Sequence, residues 1–161
     1  MGIQTSQSPG ASAQISNFGQ KLVVSVDLTS ATWNTVATHE VFDVTGLIAG
    51  RLFVQCTDGL TDATSASALA VLSEDGASGK PDITNFYKGD AISAGALLLD
   101  SGQTGFGEIQ SIVHEFVSYQ RDIGYSVFGE AFTGGTLDFI LYWTPISEGA
   151  TVVAGAGGSL T

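Results

Sequence analysis

The sequence predicts an all-β domain, an antiparallel β-sandwich or jelly-roll-like fold with an extended N-terminal arm. Three observations predict it. Charged residues make up only 13% of the chain and glycine is abundant at 21 residues, a composition poor in the Glu, Lys, Arg and Gln that cover helices. Short β-branched and aromatic runs recur between turn residues, as in KLVVSVDL, TVATHEVF and TLDFILYW. The length of 161 residues suits a single domain with a core that needs no disulfide or metal, and the 43% hydrophobic content fills it. We therefore divide the chain into an arm, residues 1–20, and one β-sandwich domain, residues 21–161.

The arm, MGIQTSQSPGASAQISNFGQ, has no charge and only three spaced apolar anchors, Ile3, Ile15 and Phe18. Alone it cannot bury enough apolar surface to offset its backbone entropy, so it is expected to be held by its own domain or, preferably, by a neighbouring chain. KLVVSVDL reads as the first strand. In TVATHEVF, alternation sets Val36, Thr38 and Glu40 on one face and Ala37, His39 and Val41 on the other. GLIAGRLFVQC reads as a longer strand in which Gly50 marks a bulge or a close backbone approach. These three runs are expected to form an antiparallel meander.

The next stretch, DGLTDATSASALAVLSEDG, holds a small-residue strand or a short helix. Residues 75–93 read as a long irregular loop before the apolar ALLLD. Ile109, Ile112, Val113, Phe116 and Val117 have helical spacing, yet their β-branched content and the flanking strands favour a strand over 107–120. Gly134-Gly135, between GYSVFGEAF and TLDFILYW, reads as the two-residue turn of a hairpin. Phe139 to Trp143 are consecutive and apolar, so the closing strand has two faces to cover: one by the core, the other by a sheet, a loop or a subunit. Pro145 ends that ladder, and ATVVAGAGGSLT offers one more short strand before a glycine-rich end.

Chemistry is sparse in this pattern. Sixteen carboxylates against five basic residues give a net charge of −11, which repels a phosphate backbone, so nucleic acid is not an expected partner. No apolar stretch approaches the roughly 20 residues of a membrane span. Cys56 is the only cysteine and reads as a small core residue, and His39 and His114 read as strand residues with satisfied partners. His39-Glu40 and His114-Glu115 lack the second histidine of a zinc protease motif, and Gly79-Lys80 lacks the phosphate-loop spacing. Asp58, Asp62, Glu74 and Asp75 flank turns without the calcium-loop spacing and read as groups that bond their own backbone. The expectation is a protein that is not an enzyme, with no cofactor and no metal.

The polar arm, TVATHEVFDVTGLIAGRLFVQC and the closing TGGTLDFILYWTPIS, with its F-x-L-Y-W-x-P-I strand, together resemble small β-sandwich structural proteins from the head and tail gene cassettes of tailed bacteriophages. The resemblance spans roughly residues 20–150. It implies a virion structural protein made in the host cytoplasm: a capsid decoration or cement protein, often a trimer, bound to the major capsid protein. It carries over no site residues. From the residues themselves, partner-binding positions are expected on the arm at Ile3, Ile15 and Phe18 and on the closing strand at Phe139, Leu141 and Trp143. The alternative is a carbohydrate-binding or tail-fibre-associated β-sandwich module, using Trp33, Trp143 or the tyrosines as sugar platforms.

Overall fold

The computed structural model describes residues 19–73, 87–88, 92–98 and 115–158. The arm up to Phe18, most of the 75–93 loop and residues 107–114 lie outside them. The described residues form ten strands and no helix: β1 (Gln20–Asp27), β2 (Thr38–Thr45), β3 (Leu47–Asp62), β4 (Ala68–Ser73), β5 (Tyr87–Lys88), β6 (Leu97–Leu98), β7 (Glu115–Tyr119), β8 (Ile123–Phe128), β9 (Phe132–Pro145) and β10 (Thr151–Ala154). The small-residue run thus resolves as strand β4, and the described end of the 107–120 segment as strand β7.

Pairing is antiparallel throughout and nested. β1 pairs with β9, β2 with β8, β3 with both β6 and β7, and β4 with β5. Successive pairs alternate between two sheets, one ordered β1-β9-β3-β6 with β7 also on β3, the other β10-β2-β8-β4-β5. A paired ribbon folded over itself into two packed sheets is a jelly roll, so the predicted fold class holds. β10 adds one strand to the edge of β2.

Two expected connections do not form. β1, β2 and β3 are not a meander, because β2 belongs to the opposite sheet and β9 stands between β1 and β3. Gly134-Gly135 is not a hairpin turn either: it lies inside β9, and β8 and β9 are in different sheets. The glycines serve a bulged stretch, where the register between β3 and β9 shifts from Cys56 to Asp62. Gly135 has φ +111°, and a Cβ there would stand 2.8 Å from the Gly59 carbonyl oxygen, so an L side chain is excluded both by conformation and by space.

Alternation sets what each strand buries. In β2, His39 and Val41, which alternation places on one face, both turn out to face the core, and a bulge after Glu40 lets Phe42 join them. In β3 the inward row is Ile48, Gly50, Leu52, Val54 and Cys56. Gly50 is there for close approach, since a Cβ would fall 2.8 Å from the Phe116 ring and 3.2 Å from Leu141. β9 supplies Leu137, Phe139, Leu141 and Trp143, all buried. From the second sheet Tyr125 stacks on Phe139, with centroids 5.5 Å apart and planes at 24°. The Tyr125 hydroxyl donates to the Trp33 carbonyl, and burial pushes its pKa far up, so it remains a donor at any physiological pH.

The parity of β9 gives a direct test. Phe139→Ala removes a fully buried ring and should cost about 3–5 kcal/mol in urea unfolding, whereas Ile140→Ala, on the outer face, should cost about 1 kcal/mol. Equal losses would mean that the two faces of β9 have been assigned the wrong way round.

Candidate functional site

With one parity of β9 committed to the core, Thr136, Asp138, Ile140, Tyr142 and Thr144 face outward. The register extends this face across the first sheet in rows. Lys21 and Arg51 flank Tyr142, Val23 and Phe53 flank Ile140, and Ser25 and Gln55 flank Asp138. Beyond β3, Ala49 is opposite Val117 and Leu47 is opposite Tyr119.

The centre of this surface is aromatic and ordered by contacts within the chain. Phe53 meets Tyr142 edge to face, with centroids 6.0 Å apart at 89°. The Lys21 ammonium lies 5.8 Å from the Tyr142 centroid, over the ring. The Ser25 hydroxyl donates to Asp138 at 2.6 Å, which holds one polar end of the face. Towards the rim, Val23 is 44% exposed, Val117 67% and Tyr119 61%. Exposed apolar side chains on β1 and β7 thus flank the half-buried Phe53, Ile140 and Tyr142, with the Lys21 and Arg51 row crossing the face between them, a mix of aromatic, apolar and cationic groups of the kind found on protein-binding surfaces.

This face differs from the expected one. Phe139, Leu141 and Trp143 are buried in the chain's own core, so any partner surface on β9 must use Ile140 and Tyr142 instead. Ile3, Ile15 and Phe18 lie outside the described residues. Phe53, Val117 and Tyr119 are not among the partner-binding positions expected from the sequence. A signal for the outward parity was present in β9 itself, because Thr136, Asp138 and Thr144 share the parity of Ile140 and Tyr142.

Groups with chemical potential elsewhere are taken up by the fold. His39 is buried; its Nε2 donates to the Thr35 carbonyl at 2.8 Å, its ring lies 5.0 Å from that of Tyr125, and its Nδ1 has no hydrogen-bond partner. Burial raises the pKa of the Cys56 thiol, which donates to the Asp58 carbonyl at 3.0 Å, so it carries little thiolate. The Asp62 carboxylate accepts from the Ser65 and Ser67 amides at 3.0 and 2.9 Å and from the Ser67 hydroxyl, closing its own loop. Among the described residues no group of three or more His, Cys, Asp or Glu side chains could hold a metal ion, and no helix is long and apolar enough to cross a membrane. No protein-family model, curated protein or solved structure matches the chain.

Three carboxylates, Asp27, Asp62 and Glu40, are shifted, in two directions. Hydrogen bonds hold Asp27 and Asp62 below the usual range, chiefly from the Thr29 amide and the Ser67 hydroxyl respectively. Their contribution is present above the unfolded-state pKa and is lost as pH falls through the folded one. Glu40 has the opposite shift: desolvation raises its pKa, helped by the negative charges of Asp122 and Asp43. The folded chain then keeps a proton that the unfolded chain has released, so this group costs stability as pH rises through its folded pKa. Glu40→Gln should stabilise the protein near neutral pH, and the gain should vanish as the pH drops below the ordinary glutamate range. Urea unfolding of both proteins between about pH 4 and 8 measures it.

Proposed function

We propose that this protein is a non-catalytic virion structural protein, a capsid decoration or cement protein whose trimers bind the major capsid lattice. The observation that carries this reading is the outer face of the first sheet, where exposed Val23, Val117 and Tyr119 lie around half-buried Phe53, Ile140 and Tyr142 and the basic Lys21 and Arg51, in a chain of net charge −11. Such a face is costly to leave in water and is matched to a protein partner. The resemblance of the closing strand to phage structural proteins supplies the identity of the partner. The jelly roll agrees with it by analogy, since capsid domains use that fold, as do lectins. The arm would add a second contact.

Val117→Asp and Tyr119→Asp test the reading, because both positions are exposed and the substitutions should change stability by no more than about 0.5 kcal/mol. Each variant should lose co-sedimentation with purified capsids while unfolding like the wild type. Variants that still decorate particles at wild-type occupancy would remove this face from the interface.

A further inference from the structure

The first sheet ends on β1, and of the usual edge guards this strand has only charged side chains, Lys21 and Asp27. Among the described residues β1 pairs with β9 alone, over eight residues in unbroken register. It contains no proline and no bulge, the devices that normally stop an edge strand from recruiting another chain. Three consecutive apolar residues, Leu22, Val23 and Val24, remain partly exposed on it. Leu22 and Val24 point towards the core and pack against it, but both are only partly buried.

We propose that β1 pairs antiparallel with β1 of a second copy about a two-fold axis at Val24, joining the two first sheets into one. Parity restricts the register, since a continuous sheet must keep outer residues opposite outer residues. Of the registers that do so, the one centred on Val24 overlaps almost the whole strand and is self-complementary in charge. It sets Lys21 opposite Asp27 of the second copy, twice per pair, and both residues are exposed on the outer face. Val23 then meets Ser25, while Leu22 meets Val26 and Val24 meets itself on the inner side. The outer faces become continuous, with the Val23, Ile140 and Phe53 row of each copy running into the Ser25, Asp138 and Gln55 row of the other. An isologous contact of this kind closes at two copies, so within a three-fold assembly it links neighbouring units and does not build the unit itself. It does not depend on what the outer face binds.

Charge reversal with complementation tests the pairing on the full-length chain. Lys21→Glu places Glu against Asp, and Asp27→Lys places Lys against Lys, so each variant alone should self-associate roughly tenfold more weakly at low salt. An equimolar mixture of the two restores both attractive pairs and should regain wild-type association as mixed dimers, read by native mass spectrometry. Asp27 also accepts hydrogen bonds from Thr29, so a second measurement avoids disturbing that turn. In Val24→Cys the new thiols face each other across the axis, within disulfide reach of directly opposed antiparallel residues, whereas in Val23→Cys they are offset. Mild oxidation should link Val24→Cys into covalent dimers much faster than Val23→Cys, the native Cys56 being buried. Equal cross-linking of the two variants, a mixture no stronger than its components, or a chain that dimerises only after removal of residues 1–18 would overturn the proposal. The last result would show that the arm is the occupant of this edge.

Discussion

The contact between Tyr125 and Phe139 is the one on which the two-sheet architecture turns. Phe139 lies at the centre of the first sheet, on the strand that joins β1 to β3, and Tyr125 lies at the centre of the second, on the strand that joins β2 to β4. The stack thus bridges the middle strand of each sheet. Tyr125 extends the link outward through its hydroxyl to the Trp33 backbone and through its ring to His39, which in turn holds the Thr35 carbonyl. This arrangement ties the 28–37 connection to the core without a strand of its own. It also explains a buried histidine with only one of its two nitrogens partnered: the ring is there for its shape and its single donor.

Nested pairing makes nearly every sheet contact long in sequence. β1 must find β9 more than a hundred residues away, as Val24 opposite Phe139 shows, before β3 can be placed on the far side of β9. Such pairings cost loop-closure entropy before they return any packing, which makes folding slow compared with a meander of the same size. The same constraint explains which parts of the fold could be read in the sequence. Strand identity is local, so the runs around Val23, Val41, Leu52 and Phe139 were legible, as was the shared face of His39 and Val41, though not which face turns inward. Partner choice is not local. Nothing in KLVVSVDL or THEVF says that these strands belong to opposite sheets, and Gly134-Gly135 has the same composition whether it turns a hairpin or serves a bulge in a fourteen-residue strand.

The candidate site was half legible for a related reason. That β9 has two apolar faces follows from Phe139 to Trp143, and that one of them needs a cover beyond the core follows from strand geometry. Which face is which depends on β3, whose inward parity is set by the close approach of Gly50 to Phe116 and Leu141. The outer face is then assembled from β1, β3, β7 and β9, with members as distant as Val23 and Tyr142. No single segment displays it. Its aromatic centre appears only when Phe53 and Tyr142 are brought together by a register that spans ninety residues.

Charge and apolar surface act at different ranges in this protein, and the difference decides when copies associate. At −11 per chain, free copies repel one another at distances beyond the reach of any contact, and even at physiological salt that repulsion extends over a Debye length of about 8 Å. The edge pairing proposed for β1 has only exposed ion pairs and a short run of backbone to set against it, each ion pair contributing at most about 1 kcal/mol. In solution the balance gives a weak pairing that is populated as the protein concentration rises. Anchoring through the outer face, as proposed, would shift that balance towards pairing without adding a contact, because copies held side by side on a repeating surface would meet at an effective concentration in the millimolar range. A weak, charge-matched edge of this kind would pair reversibly in solution and more fully between copies already placed next to each other, so the strength of the pairing would follow the local concentration of the chain.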